Sequence, residues 1–293
     1  MIWIPITVGA AALQVARNAL QRGLLAGAGP WGATLVRFLF GLPFSLAFAA
    51  IAFAVWPGAR PAFVPAFWLA CAVGGATQIA ATAAVLVSMR RSTFALGTAF
   101  QQSSIPLAAV VGLALGEQLG PWKWAGLILV TTGLFVLAWP RRQAEGPRDW
   151  SPALLGLLAG AGFAISSNAY RQAALALDPT HPVLAAQITV FCAQSMQTAG
   201  LIAYLAMRDQ RALHAVAAAW RSSLSAGFFG AAASGLWFTA FALSPAGPVR
   251  AVGVVEMPIA AIAGRRLFAE RLTLWQVLAA LVAATGVVMA AVG

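Results

Sequence analysis

An all-α integral membrane fold is predicted for this chain, with ten transmembrane helices in two inverted five-helix repeats around a central cavity. Three observations predict it. Of 293 residues, 61% are hydrophobic and only 9% charged, against roughly 25% charged in a soluble fold. Apolar segments of about 20 residues, the length that crosses hydrocarbon as a helix, recur from end to end. The chain also repeats itself. Glu117-x-Leu119-x-x-Trp122 with Thr132-Gly133 returns about 153 positions later as Glu270-x-Leu272-x-x-Trp275 with Thr285-Gly286. Pro106 and Ser92 match Pro258 and Ser244 at a spacing of 152, and Gln14-x-x-Arg17-Asn18-Ala19 matches Asn168-x-x-Arg171-Gln172-Ala173 at 154. A duplicated unit with an odd number of spans must lie in the bilayer in opposite orientations, which builds a pathway that opens to either side in turn.

The expected spans are 4–26, 31–55, 65–89, 93–115 and 121–139, then 152–176, 182–206, 221–243, 246–267 and 272–292. They group into a first repeat at 1–140, a polar linker at 141–151 and a second repeat at 152–293. Helices rather than strands are expected, because the runs are long and rich in Ala and Leu, and a helix bonds every backbone amide locally. Short connectors carry Gly29-Pro30, Pro57-Gly58, Gly120-Pro121, Asp178-Pro179 and Pro245. Trp31, Trp56, Trp122, Trp139, Trp150 and Trp220 sit at span ends and read as interfacial anchors. Cleavage of an N-terminal signal peptide is not expected, since no strongly basic region precedes a short apolar stretch.

The net charge of +11 does not point to nucleic acid, because the basic residues fall mainly in connectors, where Lys and Arg report insertion direction. Connectors after odd-numbered spans carry twelve basic residues, Arg22, Arg90 and Arg91 among them, against Arg60, Lys123 and Arg250 on the other side. That bias predicts both termini together on the periplasmic side. Cys71 and Cys192 lie in apolar runs as packing residues, so neither a disulfide nor a metal site is expected, and no cofactor. A nucleotide-binding Gly-x-x-x-x-Gly-Lys loop is absent. His181, His214, Asp178 and Asp209 fall in connectors, which argues against an intramembrane enzyme.

Polar groups at membrane depth are costly unless they face other helices or water. Gln14, Arg17, Asn18 and Gln21 share one stripe of span 1, and Ser167, Asn168, Tyr170, Arg171 and Gln172 repeat the idea in span 6. Arg17 and Arg171 either fork a substrate carboxylate or extend to the interface. Gln78 and Thr82 lie four apart in span 3, and Gln101, Gln102, Ser103 and Ser104 precede Pro106 in span 4, where proline frees a backbone carbonyl. Those side chains either meet cargo or bond neighbouring helices. Glu256, two before Pro258, is the acidic residue most nearly central to a span; it could hold an ammonium, exchange protons, or pair with Arg17 or Arg250. Phe163, Tyr170, Trp237, Phe238 and Phe241 could stack on an aromatic cargo or simply pack helices. The Gly112/Gly116 and Gly156/Gly160 pairs permit close helix approach, within a monomer or in a homodimer.

The stretches Ser92–Ala138 and Ser244–Ala290 resemble the paired EamA modules of the drug/metabolite transporter superfamily. The carriers of the resemblance are Ser104-Ile105-Pro106 through Gly116-Glu117-Gln118-Leu119, and Glu256-Met257-Pro258 through Ala269-Glu270-Arg271-Leu272. The second copy departs in Ala269, where Gly is frequent, and in Met257, between a Glu and Pro often adjacent. Within the superfamily the chain is similar to YddG-type exporters of aromatic amino acids. The resemblance implies a ten-helix basket around a central cavity and export of small metabolites across a bacterial inner membrane. It also implies cytoplasmic termini, in conflict with the charge bias. The expectation is a secondary carrier in the lipid bilayer for small molecules, amino acids foremost; a facilitative uniporter, or an exporter of drugs or polyamines, is the alternative, and an intramembrane enzyme or a channel are the rivals outside the class.

Overall fold

The computed structural model describes residues 1–91, 101–138, 151–256, 259 and 274–292. Every regular element among them is helical: α1 (Trp3–Leu39), α2 (Leu42–Val55), α3 (Pro65–Arg91), α4 (Ser104–Ala114), α5 (Pro121–Ala138), α6 (Ser151–Leu177), α7 (Pro182–Arg208), α8 (Gln210–Ala218), α9 (Trp220–Leu243), α10 (Ala246–Val252, running into a 3-10 turn at Gly253–Val255) and α11 (Leu274–Val292). Among the described residues, four stretches, Gly27–Val55, Pro65–Ser88, Pro182–Arg208 and Ser223–Leu243, are long and apolar enough to cross a membrane. Large apolar side chains face outward, Leu69 at 67% exposure and Ile128 at 64%, while Glu256 is 2% exposed and Gln14 and Arg37 are buried. Apolar outside and polar inside reverses the pattern of a water-soluble fold and fits a membrane-embedded protein.

Several boundaries differ from the sequence reading. The connector expected after 4–26 is absent as a loop: α1 continues to Leu39, broken only at Gly29, whose φ of 66° leaves the helical path before Pro30. The following turn falls at Phe40–Gly41, so the expected span 31–55 is divided between the end of α1 and α2. Pro106 does not kink a helix interior. The chain turns at Gln102–Ser103 and α4 restarts at Ser104, which puts Pro106 in a first turn where a missing N–H costs little. His214 lies in α8 rather than in a connector, and Asp209 caps that helix by accepting from the Ala212 N–H at 3.0 Å. Residues 139–150, with most of the expected linker, and 260–273, with the second Glu270-x-Leu272 motif, lie outside the described residues.

Glycine sets the closest helix contacts. α1 packs along α9, α3 along α6, and α5 along α11. A Cβ added to Gly126 would fall 2.5 Å from the Ala290 nitrogen, one on Gly286 2.5 Å from that of Val130, and one on Gly133 2.8 Å from that of Ala283. The two backbones therefore touch, as small residues in apolar helices allow. Position rises along α5 as it falls along α11, so this pair is antiparallel. One member of each small-residue pair packs within the chain, Gly112 against Glu117 and Asn168 and Gly160 against Ser103, whereas Gly116 meets nothing within 4 Å.

The α6–α7 connector is organised by one carboxylate. Asp178 Oδ1 accepts from Thr180 N (3.0 Å), Thr180 Oγ1 (2.6 Å) and His181 N (3.1 Å), and Oδ2 lies 2.8 Å from His181 Nδ1. Burial alone would raise this carboxyl, but the bonds from Thr180 and His181 outweigh it and hold it below its ordinary value. A depressed carboxyl stabilises the fold above its unfolded value of 3.8, and that stabilisation is lost as pH falls through the lower folded value. Asp178→Asn should therefore lower the melting temperature at neutral pH and flatten the decline in acid. Melting curves across that range test it; an unchanged acid decline in the variant would refute the assignment.

Candidate functional site

Near the meeting of α1, α3, α6, α9 and α10 lies a small polar chamber. Two helices supply matching stripes at i, i+3, i+4 and i+7: Phe163, Ser166, Ser167 and Tyr170 from α6, and Ser234, Trp237, Phe238 and Phe241 from α9. Gln14 and Arg37 come from the two arms of α1, Gln78 from α3 and Arg250 from α10. The space among these side chains is about 310 Å³, part of it open outward. It is thinly spread, with room for about one water. The molecule is described in a tight state.

Each wall has its own logic. Tyr170 donates to Gln78 Oε1 at 3.0 Å, and Gln197 Nε2 donates to the same oxygen at 2.8 Å. The Tyr170 ring stacks on Phe238 at 4.0 Å between centroids, and fits only because position 74 is glycine; a Cβ there would sit 2.7 Å from the ring. Ser166 and Ser167 donate back to the Phe163 carbonyl of their own helix. Arg250 is surrounded by rings, its guanidinium carbon 5.1 Å from the Trp237 centroid, 5.4 Å from Phe163 and 5.5 Å from Phe241. Such a cage attracts a cation through the ring quadrupoles. One of its nitrogens, Nη2, donates to the Phe163 carbonyl at 3.3 Å.

Arg37 ties three helices together. Its Nη1 donates to Thr82 Oγ1 on α3 at 3.1 Å and its Nη2 to Ser234 Oγ on α9 at 3.3 Å. Beside it, a polar layer joins α1 to the residue after the 3-10 turn: Gln14 Nε2 donates to Glu256 Oε2 at 2.6 Å and Asn18 Nδ2 to Oε1 at 3.3 Å. Arg17 donates to Asn18 Oδ1 at 2.6 Å. Glu256 forms no direct ion pair with Arg17 or Arg250 among the described residues, although it feels the charge of both.

Of the residues singled out in the sequence, Gln14, Gln78, Phe163, Ser167, Tyr170, Trp237, Phe238 and Phe241 converge on the chamber. Arg17, Asn18 and Glu256 form the adjoining layer, and Thr82 is a ligand of Arg37 rather than a wall. Gln101, Gln102 and Ser104 are buried near the start of α4 and do not line the chamber; Gln102 lies beside Glu256, and Ser104 Oγ finds no partner among the described residues. Arg171 is elsewhere. It pairs with Glu117 and donates to the Phe241 carbonyl at 2.6 Å, at the end of α9. Sequence reasoning missed Arg37 altogether, although it is a charge within the apolar run 31–55. It counted Arg250 as a connector charge while also naming it as a partner for Glu256; the structure buries it without a direct ion pair to that carboxylate.

No family model matches the chain, and no curated protein matches it either. A solved chain described only as "Crystal structure of protein" superposes with a TM-score of 0.62 over 97% of this chain and 94% of its own length, at 15% identity. That likeness establishes a shared fold and carries no activity with it.

Proposed function

We propose that the protein is a secondary carrier of the EamA type in the drug/metabolite transporter superfamily. It exports small metabolites across a bacterial inner membrane by alternating access of two inverted five-helix halves. The observation that carries this reading is a reciprocity of contacts. Gly133 faces Ala279 and Ala283, and Gly286 faces Gly126 and Val130. Adding the repeat spacing of 153 to Gly126, Val130 and Gly133 yields Ala279, Ala283 and Gly286, so each contact becomes the other when the halves are exchanged. The antiparallel course of α5 and α11 is what a two-fold axis in the membrane plane requires. The pairings of α1 with α9 and α3 with α6 exchange in the same way, first span of one half against third of the other.

The chamber supports the reading because both halves line it, Gln14, Arg37 and Gln78 from one and the α6, α9 and α10 residues from the other. Carriers of this design hold cargo at the repeat interface. Its rings suit a cargo with a planar part, in keeping with the aromatic amino acids that the resemblance implies. Purified protein in liposomes, offered labelled amino acids and other small metabolites with and without a proton gradient, is expected to give protein-dependent flux for at least one. Folded protein that moves none of the panel faster than empty liposomes would end the carrier reading.

A further inference from the structure

We infer that the chamber is built for an organic anion with a planar, aromatic body, in preference to a zwitterion or a cation; this refines the cargo of the carrier proposed above. The inference starts from an imbalance of charge. Arg17, Arg37 and Arg250 are all buried, at 3%, 3% and 8% exposure, and the described residues around them offer one carboxylate, Glu256. Three guanidinium groups against one carboxylate leave two positive charges unmatched. Each group is close enough to feel the others: Arg37 senses both Arg17 and Arg250, and Arg250 senses Arg17. Like charges held together away from water are unfavourable unless an anion joins them.

The donors left over point the same way. Arg37 Nε, Arg250 Nε and Arg17 Nη1 are buried and have no hydrogen-bond partner among the described residues, and neither has Trp237 Nε1. Two of these arginines and the tryptophan line the chamber itself. Buried donors are normally satisfied, so a cluster of empty ones marks the place of an absent acceptor. Guanidinium and indole N–H groups only donate, and the acceptor they call for is a carboxylate or comparable oxyanion. What the chamber lacks is equally informative. Glu256, which would hold the ammonium of an amino acid, is occupied by Gln14 and Asn18 and is not part of the wall. The rings beside Arg250, Trp237 and Phe241 stacked at 5.6 Å, supply the flat apolar surface for the rest of the molecule. Room for about one water in the tight state means that these rings must part to admit it.

Calorimetric titration of the protein in lipid nanodiscs tests this, with benzoate and phenylpyruvate against L-phenylalanine, benzylamine, benzamide and sodium chloride. The two aromatic acids are expected to bind roughly tenfold or more tightly than the zwitterion, the cation or the neutral amide, the value of one charge-assisted hydrogen bond. Arg37→Gln and Arg250→Gln should each weaken them by about the same factor. Arg37→Lys and Arg250→Lys, which keep the charge, should retain part of the affinity and serve if the Gln variants do not fold. Equal affinity for phenylalanine or benzylamine, chloride heats matching those of benzoate, no binding by any acid, or affinities untouched by all four variants would overturn the inference. Anion binding without flux in liposomes would sink the carrier and leave the anion site standing. Flux of zwitterionic cargo by protein that binds no aromatic acid would do the reverse.

Discussion

Replacing Gly286 with leucine should leave little folded protein in the membrane, and Gly126→Leu should do the same. At both positions a Cβ would meet the backbone of the facing helix at 2.5 Å, where no rotamer change can relieve it. Overpacking a tight contact costs about 1–3 kcal/mol. Alanine at either site should cost about that much, because the helices must separate by a fraction of an ångström. Leucine adds three further carbons with nowhere to go and should exceed the few kcal/mol by which a fold is typically stable. The two sites face each other across one seam at the same 2.5 Å approach, so their alanine variants should lose similar melting temperature. Fluorescence-detected size exclusion of the leucine variants and melting curves of the alanine pair provide the measurement. A Gly286→Leu protein that elutes and melts like the parent would mean that the seam between α5 and α11 is not formed as described.

Arg171→Met is expected to cost about 3 kcal/mol of stability while leaving the order of cargo preference unchanged. The physical case rests on what Arg171 joins. Glu117 follows Gly116, whose φ of 87° closes α4 in the left-handed conformation that glycine adopts freely. The Glu117 N–H returns to the Gly112 carbonyl at 2.9 Å and the Gly116 N–H to Leu113 at 3.0 Å, the paired bonds of a Schellman stop. Arg171 holds the carboxylate so presented and also the Phe241 carbonyl, where a cation complements the helix dipole. Removing one partner of a buried pair strands the other, a loss of about 3–5 kcal/mol; 13% exposure of Glu117 places the effect at the low end. Glu117→Gln should show a smaller loss because an amide still accepts from Arg171. Altered cargo selectivity in Arg171→Met with normal stability would return this residue to the substrate clamp that its place in the span 6 stripe suggested.

How far the sequence carried can be seen in single residues. Helices α3, α6 and α7 lie within two residues of their expected limits, because a long apolar run away from water has to bond its own backbone. Gly29-Pro30 reads as a connector between two spans, yet the chain only steps sideways there within α1; which of the two occurs depends on the helices it packs against. α8 was overlooked because it is nine residues long and polar on one side, so an apolar-run criterion passes over it. Within the candidate site, helical spacing collected the α6 stripe correctly, since i, i+3, i+4 and i+7 is a local property. The fate of each arginine was not local. Arg17 and Arg171 occupy matching positions in the repeat, yet one lies near Glu256 and the other is bound by Glu117 more than fifty residues away in the chain. Arg250 was misjudged for a related reason: beside Pro245 and Gly247 a charge reads as a topology marker, and only the fold brings three rings around it.

The α5–α11 seam has an ancestral implication. Each helix offers the other the surface that it itself requires, so neither needs a partner of different sequence. Under the carrier proposed above, a single five-helix half, inserted into the same membrane both ways round, would already possess a matching face for its flipped sibling. On that same proposal, fusing two such genes would preserve that union, and from then on the two copies could diverge where they surround the chamber while staying alike along the seam.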